Sequence, residues 1–518
     1  MSRCLRICGA YSYRLSRRHS TILLIASFIL VLTIILQLYA YRHQDMPHFA
    51  ARVGDFDYRP GAFLAGQQPN ENTSYCHFNY GLPEKLNWEN ILVYSTPEGD
   101  FQSAYRVIYN AVQGTAFANH SKYNAVTYAT QATPEFIYHI AEIARYWDGP
   151  ISLAVFVPNY DIDITMQIMN QLCRCYSAMS KVSLHLFYPK RYPPTLTLDV
   201  LKPYVVTTVE TSTTTKNTST EELLAKKLDR YRNLNNKTRA EYIQWVRKRK
   251  IERMMARMPK QSTVPKLIFD DCSGLADFYI QTFRREKSLI YPINVGRNVA
   301  RNASMTNYFI VSDIEFVPSD GLATKFLTMV RKLMGDKKRD EGRIFAKTVF
   351  VVPLFEVEKG TEIPRDKDTL VSLLSDNRAK YFHQKVCAHC QRFPGLQSWL
   401  LRPSPTGLEP MLIARREYPY HRWEPLYFGT KNEPWYSELL SWEGRQDKMT
   451  QMLEMCFQKY SLVILDGGFL CHMDRVVCVH IKNQTKYWTA VLNNYRYYQL
   501  ALKYTEQYKF LGRQPKCI

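Results

Sequence analysis

The stretch from Asn124 to Phe187 limits the possible folds more than any other feature of the chain. Segments at Asn124–Thr130, Ile151–Val157 and Val182–Phe187 read as strands, separated by two segments of helical length. Thr133-Pro134-Glu135 has the make-up of a helix start: a hydroxyl, then proline, then an acid in the first turn. Phe136, Ile137, Ile140, Ile143 and Ala144 then recur on one helical face, and Gly149-Pro150 ends the helix. A second helix is expected near 162–179. This βαβαβ rhythm implies an α/β fold, a parallel sheet with helices on both faces. Further strands are expected at 267–269, 307–312, 347–354 and 461–465.

Thr21–Tyr41 is a run without a charged residue, long enough to span a bilayer as a helix. Arg3, Arg6, Arg14, Arg17 and Arg18 precede it and only Arg42 closely follows, which keeps the amino terminus cytosolic. The run is too long for a cleaved signal peptide. The expected organisation is a cytoplasmic tail (1–20), a signal anchor (21–41), a luminal stem (42–91) and one globular domain (92–518). Asn-x-Ser/Thr sequons at Asn72, Asn119, Asn217, Asn236, Asn302 and Asn483 all fall on the luminal side. So do Cys76, Cys173, Cys175, Cys272, Cys387, Cys390, Cys456, Cys471, Cys478 and Cys517, enough for up to five disulfides in an oxidising lumen. Cys387-Ala388-His389-Cys390 reads as half a zinc site or as disulfide partners, and the missing second CxxC pair favours the disulfide. The net charge of +21 does not call for nucleic acid. Much of it sits in residues 1–42 and in the basic helical stretch 221–259, part of an insertion at 205–262 that starts Ser/Thr-rich and reads as a solvated surface element.

Tyr291–Gly321 carries the chemistry. A helix beginning near Asn294 presents Arg297, Asn298 and Arg301, and the following strand delivers Asp313-Ile314-Glu315. Carboxylates at i and i+2 of a strand end face the same way. They can hold one hard divalent cation, although an acidic pair at such a junction is also a common solvated feature. His472 follows the strand and Gly-Gly turn of SLVILDGGF, as a structural imidazole or as a third ligand.

Four segments taken together resemble glycosyltransferase family 49, the luminal type II enzymes that include β-1,4-glucuronyltransferase and the second catalytic domain of LARGE. They are VTYATQATPEFIYHIAEIARYWDGPISLAVFV (126–157), YPINVGRNVARN (291–302), YFIVSDIEFVPSDGL (308–322) and ILDGGFLCHM (464–473). The similarity spans about 92–505 without the insertion. It implies a GT-A fold, Rossmann-like with a mixed central sheet, a UDP-sugar donor, Mn²⁺ and a Golgi membrane location. Position by position, Asp313 and Glu315 stand in the family's D-x-D motif and His472 in its late metal position. Asn294, Arg297 and Asn298 lie where the helix approaches the nucleotide, and Thr130 and Gln131 where uridine would sit. The third motif residue is usually Asp, so Glu315 is a departure that bears on metal preference and donor choice. The resemblance further implies inversion, which needs a general base. Residues 441–448 resemble the Trp/Gly/acid loops of inverting GT-A enzymes, with Asp447 first and Glu443 second as base; Asp447 equally reads as a helix cap. The implied reaction moves glucuronic acid from UDP-glucuronic acid to a glycan acceptor, β-1,4 to xylose in O-mannosyl glycans. Lys385 and Arg392 are candidate partners for the donor carboxylate. Transfer of N-acetylglucosamine or xylose, a catalytically silent glycan-binding scaffold, self-association and a complex with another Golgi transferase stay open.

Overall fold

The structure, a computed structural model, describes residues 51–52, 74–80, 91–99, 103–117, 124–194, 282–337, 344–358, 361–385, 387, 389–440, 446–473, 484–511 and 516–517. The expected anchor (21–41), most of the stem, the strand at 267–269, the insertion at 205–262 and Glu443 lie outside these residues. No helix among the described residues is long and apolar enough to cross a membrane.

The strands are β1 (Ala51–Arg52), β2 (His77–Phe78), β3 (Leu92–Val93), β4 (Tyr105–Gln113), β5 (Val126–Ala132), β6 (Ile151–Phe156), β7 (Val182–Pro189), β8 (Tyr308–Val311), β9 (Phe316–Pro318), β10 (Thr348–Val352), β11 (Leu354–Val357), β12 (Ala379–Tyr381), β13 (Glu409–Ala414), β14 (Leu426–Gly429), β15 (Ser461–Asp466) and β16 (Leu470–Met473). The helices used below are α1 (His139–Tyr146), α2 (Asp161–Cys175), α3 (Phe283–Glu286), α4 (Ile293–Asn302), α5 (Leu322–Lys337), α6 (Lys367–Ser375), α7 (Leu396–Leu401), α8 (Met449–Phe457) and α9 (Gln484–Gln507).

One large sheet runs in the order β13-β15-β10-β14-β8-β5-β6-β7-β4-β2, and a smaller one in the order β12-β11-β16-β9. Parallel pairing joins β8, β5, β6 and β7, as the βαβαβ rhythm requires. The antiparallel β14 lies between β8 and β10, which makes the large sheet mixed. β5 and β6 are buried along their whole length, which is why β6 reads as a nearly continuous apolar run and β5 lacks a solvent-facing alternation. On one face, Phe326 of α5 stacks on Phe428 of β14 with ring centroids 4.1 Å apart. On the other face α4 packs against β5 so closely that a Cβ on Gly296 would lie 2.9 Å from the Cβ of Gln131. Only glycine allows that approach.

Three local expectations need correction. Thr133 is extended and its hydroxyl caps nothing; Pro134–Phe136 forms a 3₁₀ turn and the α-helix begins only at His139. The stretch 347–354 is not one strand. It splits at Pro353, which has no N–H to donate, into β10 of the large sheet and β11 of the small one. Asp313 and Glu315 lie beyond the strand, in the turn that carries the chain from β8 to β9 and so from one sheet to the other. Disulfides join Cys76–Cys173, Cys387–Cys390 and Cys456–Cys517. Cys471 is a free thiol with no exposed surface, inside β16, so the ten cysteines from Cys76 onward do not make five pairs.

Candidate active site

Chain order reverses between β5 and β8: from β5 the chain proceeds outward to β6 and β7, while β8 returns to the opposite flank. Open α/β sheets bind ligands beyond the carboxyl ends of the strands at such a point. Here those ends carry Thr130-Gln131 and Asp313. β14 runs antiparallel to β8 with Phe428 opposite Ile310, so Glu424, two residues ahead of β14, lies at the edge where β8 ends.

α4 supplies the first cluster. Its residues from Ile293 to Arg301 are all buried, so its polar side chains must be satisfied inside the protein. Arg297, 2% exposed, donates from Nη2 to Asp313 Oδ1 (2.9 Å) and from Nη1 to Asp447 Oδ2 (2.7 Å) and Asn294 Oδ1 (2.8 Å). Gln131 Nε2 donates to the same Asp313 oxygen (2.9 Å), and Lys448 Nζ to the other (2.7 Å). Burial works to raise the proton affinity of Asp313, but Lys448 and Arg297 outweigh it and hold the carboxyl well below the usual range. Lys448 sits just ahead of α8 in the N-cap position. Asp447 does not cap that helix through its side chain; its carboxyl is turned to Arg297.

The two asparagines serve as struts. Asn294 Nδ2 donates to the carbonyls of Ser437 and Asp447, both at 2.8 Å. Asn298 donates to Tyr436 O (2.8 Å) and Glu438 Oε1 (3.1 Å) and accepts from Tyr436 N (3.1 Å). Both therefore tie residues 436–438 and Asp447 to α4, where the family pattern had implied nucleotide contacts. Thr130 and Gln131 are buried, and Thr130 Oγ1 and Gln131 Oε1 have no hydrogen-bond partner among the described residues.

The second cluster is set by the small sheet. β16 pairs with β9 so that His472 lies opposite Phe316, the residue after Glu315. His472 Nε2 and Glu315 Oε2 are consequently 3.1 Å apart. Hydrogen bonding from His472 is the main reason the Glu315 carboxyl is lowered. The approach to His472 is fixed from behind. Gly467 turns at φ +84, where a Cβ would lie 2.1 Å from Gly407 O, and the preceding Asp466 is locked by the buried Lys367 (2.7 Å). Asp313, Glu315 and His472 thus fall into two clusters rather than one cage. Among the described residues, only Cys387, His389 and Cys390 bring three ligand atoms together, and both cysteines are spent in a disulfide.

An exposed carboxylate beside a partly buried imidazole fits a divalent cation that takes its remaining ligands from a diphosphate. Asp313 is engaged by side chains of this chain: its Oδ1 accepts from Arg297 and Gln131 and its Oδ2 from Lys448. Lys385 and Arg392 are exposed, and neither makes a hydrogen bond or ion pair among the described residues. Sequence reasoning gave no role to Lys448, to Glu424, or to His383, whose charge is coupled to Lys448, His472 and Asp313. No motif marks them; the junction of two sheets brings them in.

A family model described as "Glycosyl-transferase for dystroglycan" matches residues 125–509. The chain belongs to this family. Its curated relatives agree. Beta-1,4-glucuronyltransferase 1 of Bos taurus is 22% identical over 351 residues, 67% of this chain and 68% of the relative. The protein of the same name from Danio rerio is 29% identical over 182 residues, 35% of this chain and 40% of the relative. Xylosyl- and glucuronyltransferase LARGE2 of Mus musculus is 25% identical over 191 residues, 36% of this chain and 24% of the relative. In this glycosyltransferase the β5/β8 edge is a topological switch point, the place where open α/β sheets bind ligands.

Proposed function

We propose that this glycosyltransferase transfers glucuronic acid from UDP-glucuronic acid to a glycan, β-1,4 to a terminal xylose of the O-mannosyl type, with inversion. The observation that carries the reading is the grouping of orphaned and charged atoms at one sheet edge. Buried, unpaired Thr130 Oγ1 and Gln131 Oε1 offer hydrogen bonds to a nucleotide. Arg297 and Lys448 offer positive charge for a diphosphate leaving group. Glu315 and His472 would hold Mn²⁺, which, when bound, supplies Lewis-acid neutralisation of the leaving diphosphate. The chain's own residues bind and orient the donor, and Lys448 is tethered so that its ammonium faces the site without added ordering cost.

A cavity of about 620 Å³ supports a glycan acceptor. Tyr105, Pro292, Leu439, Trp488, Leu492 and Arg496 line it, and Glu438 to Leu440 on its wall follow Ser437, whose carbonyl Asn294 holds. Trp488 is 60% exposed and offers an apolar face for a sugar ring. Trp488→Ala is expected to raise the acceptor KM about 5–10-fold while leaving kcat near wild type. Initial rates at varied acceptor concentration check this; an unchanged KM removes the cavity from the acceptor path. We place the enzyme in the Golgi membrane as a single-pass type II protein with a luminal catalytic domain. The three disulfides support an oxidising compartment.

The test is UDP release from a panel of UDP-sugars with Mn²⁺, with and without a β-xyloside. Release from UDP-glucuronic acid, raised by the xyloside, is the expected result. Release from UDP-xylose or UDP-N-acetylglucosamine instead would change the donor and keep the site.

A further inference from the structure

The carboxylates around the β5/β8 edge are mostly committed. Asp313 accepts from three side chains and Asp447 from Arg297. Glu433 accepts from Thr430 N and Glu438 from Thr96 and Asn298. Glu424 differs. Its backbone N–H is anchored to Cys390 O (3.1 Å), but its carboxyl has no hydrogen bond or ion pair among the described residues. The residue is only partly buried, so a substrate can reach it. The register of β14 against β8 sets it at the same sheet edge as Asp313.

The charged groups that face it come from three sides. Asp447 and Lys448 stand at the start of α8, Arg297 on α4, and Arg416 on the segment after β13. Arg416 is itself 3% exposed and is held by Trp423 O through Nε (2.7 Å), not by Glu424. Burial first, and Asp447 second, push the Glu424 carboxyl up to about 7, while the neighbouring Asp313 is driven far down. Two acids of one site with proton affinities forced apart is the pattern that separates a proton acceptor from a fixed charge.

We propose that Glu424 is the general base of the transfer. Its carboxylate takes the proton of the acceptor hydroxyl as that oxygen bonds to the anomeric carbon. The bond from that carbon to the diphosphate oxygen breaks, and its electron pair leaves with UDP. Asp447, the base implied by the family pattern, is poorly suited, since protonating it would break its buried pair with Arg297. This assignment rests on the transferase reading above.

The experiment compares the full chain with Glu424→Gln, Glu424→Asp and Asp447→Asn, using whichever UDP-sugar the panel finds active. Glu424→Gln is expected to lower kcat for transfer by about 10²–10⁴-fold, with UDP affinity by calorimetry unchanged. The wild-type kcat/KM profile should fall on the acid side through about pH 7. That limb should be absent from the residual rate of Glu424→Gln, and Glu424→Asp should restore part of the rate with the limb moved. A Glu424→Gln rate within about threefold of wild type would overturn the assignment, as would loss of UDP binding in both Glu424 variants, which would make the residue a structural support. A wild-type chain that binds UDP yet transfers from no UDP-sugar would sink the transferase reading and this proposal with it.

Discussion

Arg297→Met is expected to destabilise the folded domain by about 3–5 kcal/mol and to abolish transfer. The guanidinium is the only fixed group that touches Asp313 and Asp447 at once among the described residues. Removing it leaves Asp447 half-buried without its cation and removes one of the two cations on Asp313. Breaking a buried pair from one side costs far more than the pair contributes, because the remaining charge has lost its water and its partner. Urea unfolding should show a lowered midpoint with an unchanged slope. Arg297→Lys should recover only part of the loss, since a single ammonium cannot span two carboxylates as the planar fork does. A variant within about 1 kcal/mol of wild type would mean that segment 446–448 is held to α4 by something else.

The second large effect is expected at the small sheet. His472→Ala and Glu315→Ala should each weaken the Mn²⁺-dependent part of UDP binding by at least about 10–100-fold, the loss typical even of outer-shell changes at metal sites. Asp313→Asn should behave differently. It loses the charge that pairs with Arg297 and Lys448, so transfer and stability fall while the Mn²⁺-dependent increment in UDP affinity survives. Calorimetry of UDP with Mn²⁺ and with chelator separates these outcomes. If Asp313→Asn removed the increment and His472→Ala left it intact, the cation would belong to the first cluster instead.

Much of this architecture was legible because its signals are local. The runs at β5, β6 and β7 are mostly apolar, with buried polar exceptions such as Thr130, Gln131, Ser152 and His185, and burial of β5 and β6 along their whole length favours such apolar residues. Arg297 and Arg301 were visible as charges on a helix, but the sequence cannot show that the helix is buried on every side. Arg301 in fact donates to the carbonyls of Pro434 (2.7 Å) and Lys431 (3.2 Å) rather than facing solvent. The spacing of Asp313 and Glu315 suggested a shared direction, which holds in a strand and fails in a turn. Their partners, Lys448 and His472, lie more than a hundred residues downstream, and only the order of the two sheets decides which acid meets which. Glu424 was invisible for the same reason: it is a lone acid before a proline, and its meaning comes from the strand opposite.

Helix α8 is short, and it is held at both ends. Ahead of its first turn, Asp447 and Lys448 are pinned to α4 and the β8 turn; near its last, Cys456 is bonded to Cys517, 61 residues away in sequence. A crosslink closing a loop of that size is worth about 4 kcal/mol on chain-entropy grounds. The helix behaves as a beam clamped at each end, and the ammonium at its tip inherits that stiffness. A chain lacking Cys517, or a reductant strong enough to open the bond, would free the far clamp. The reach of Lys448 toward the donor would then vary with the redox state of a cysteine pair that touches nothing in the reaction.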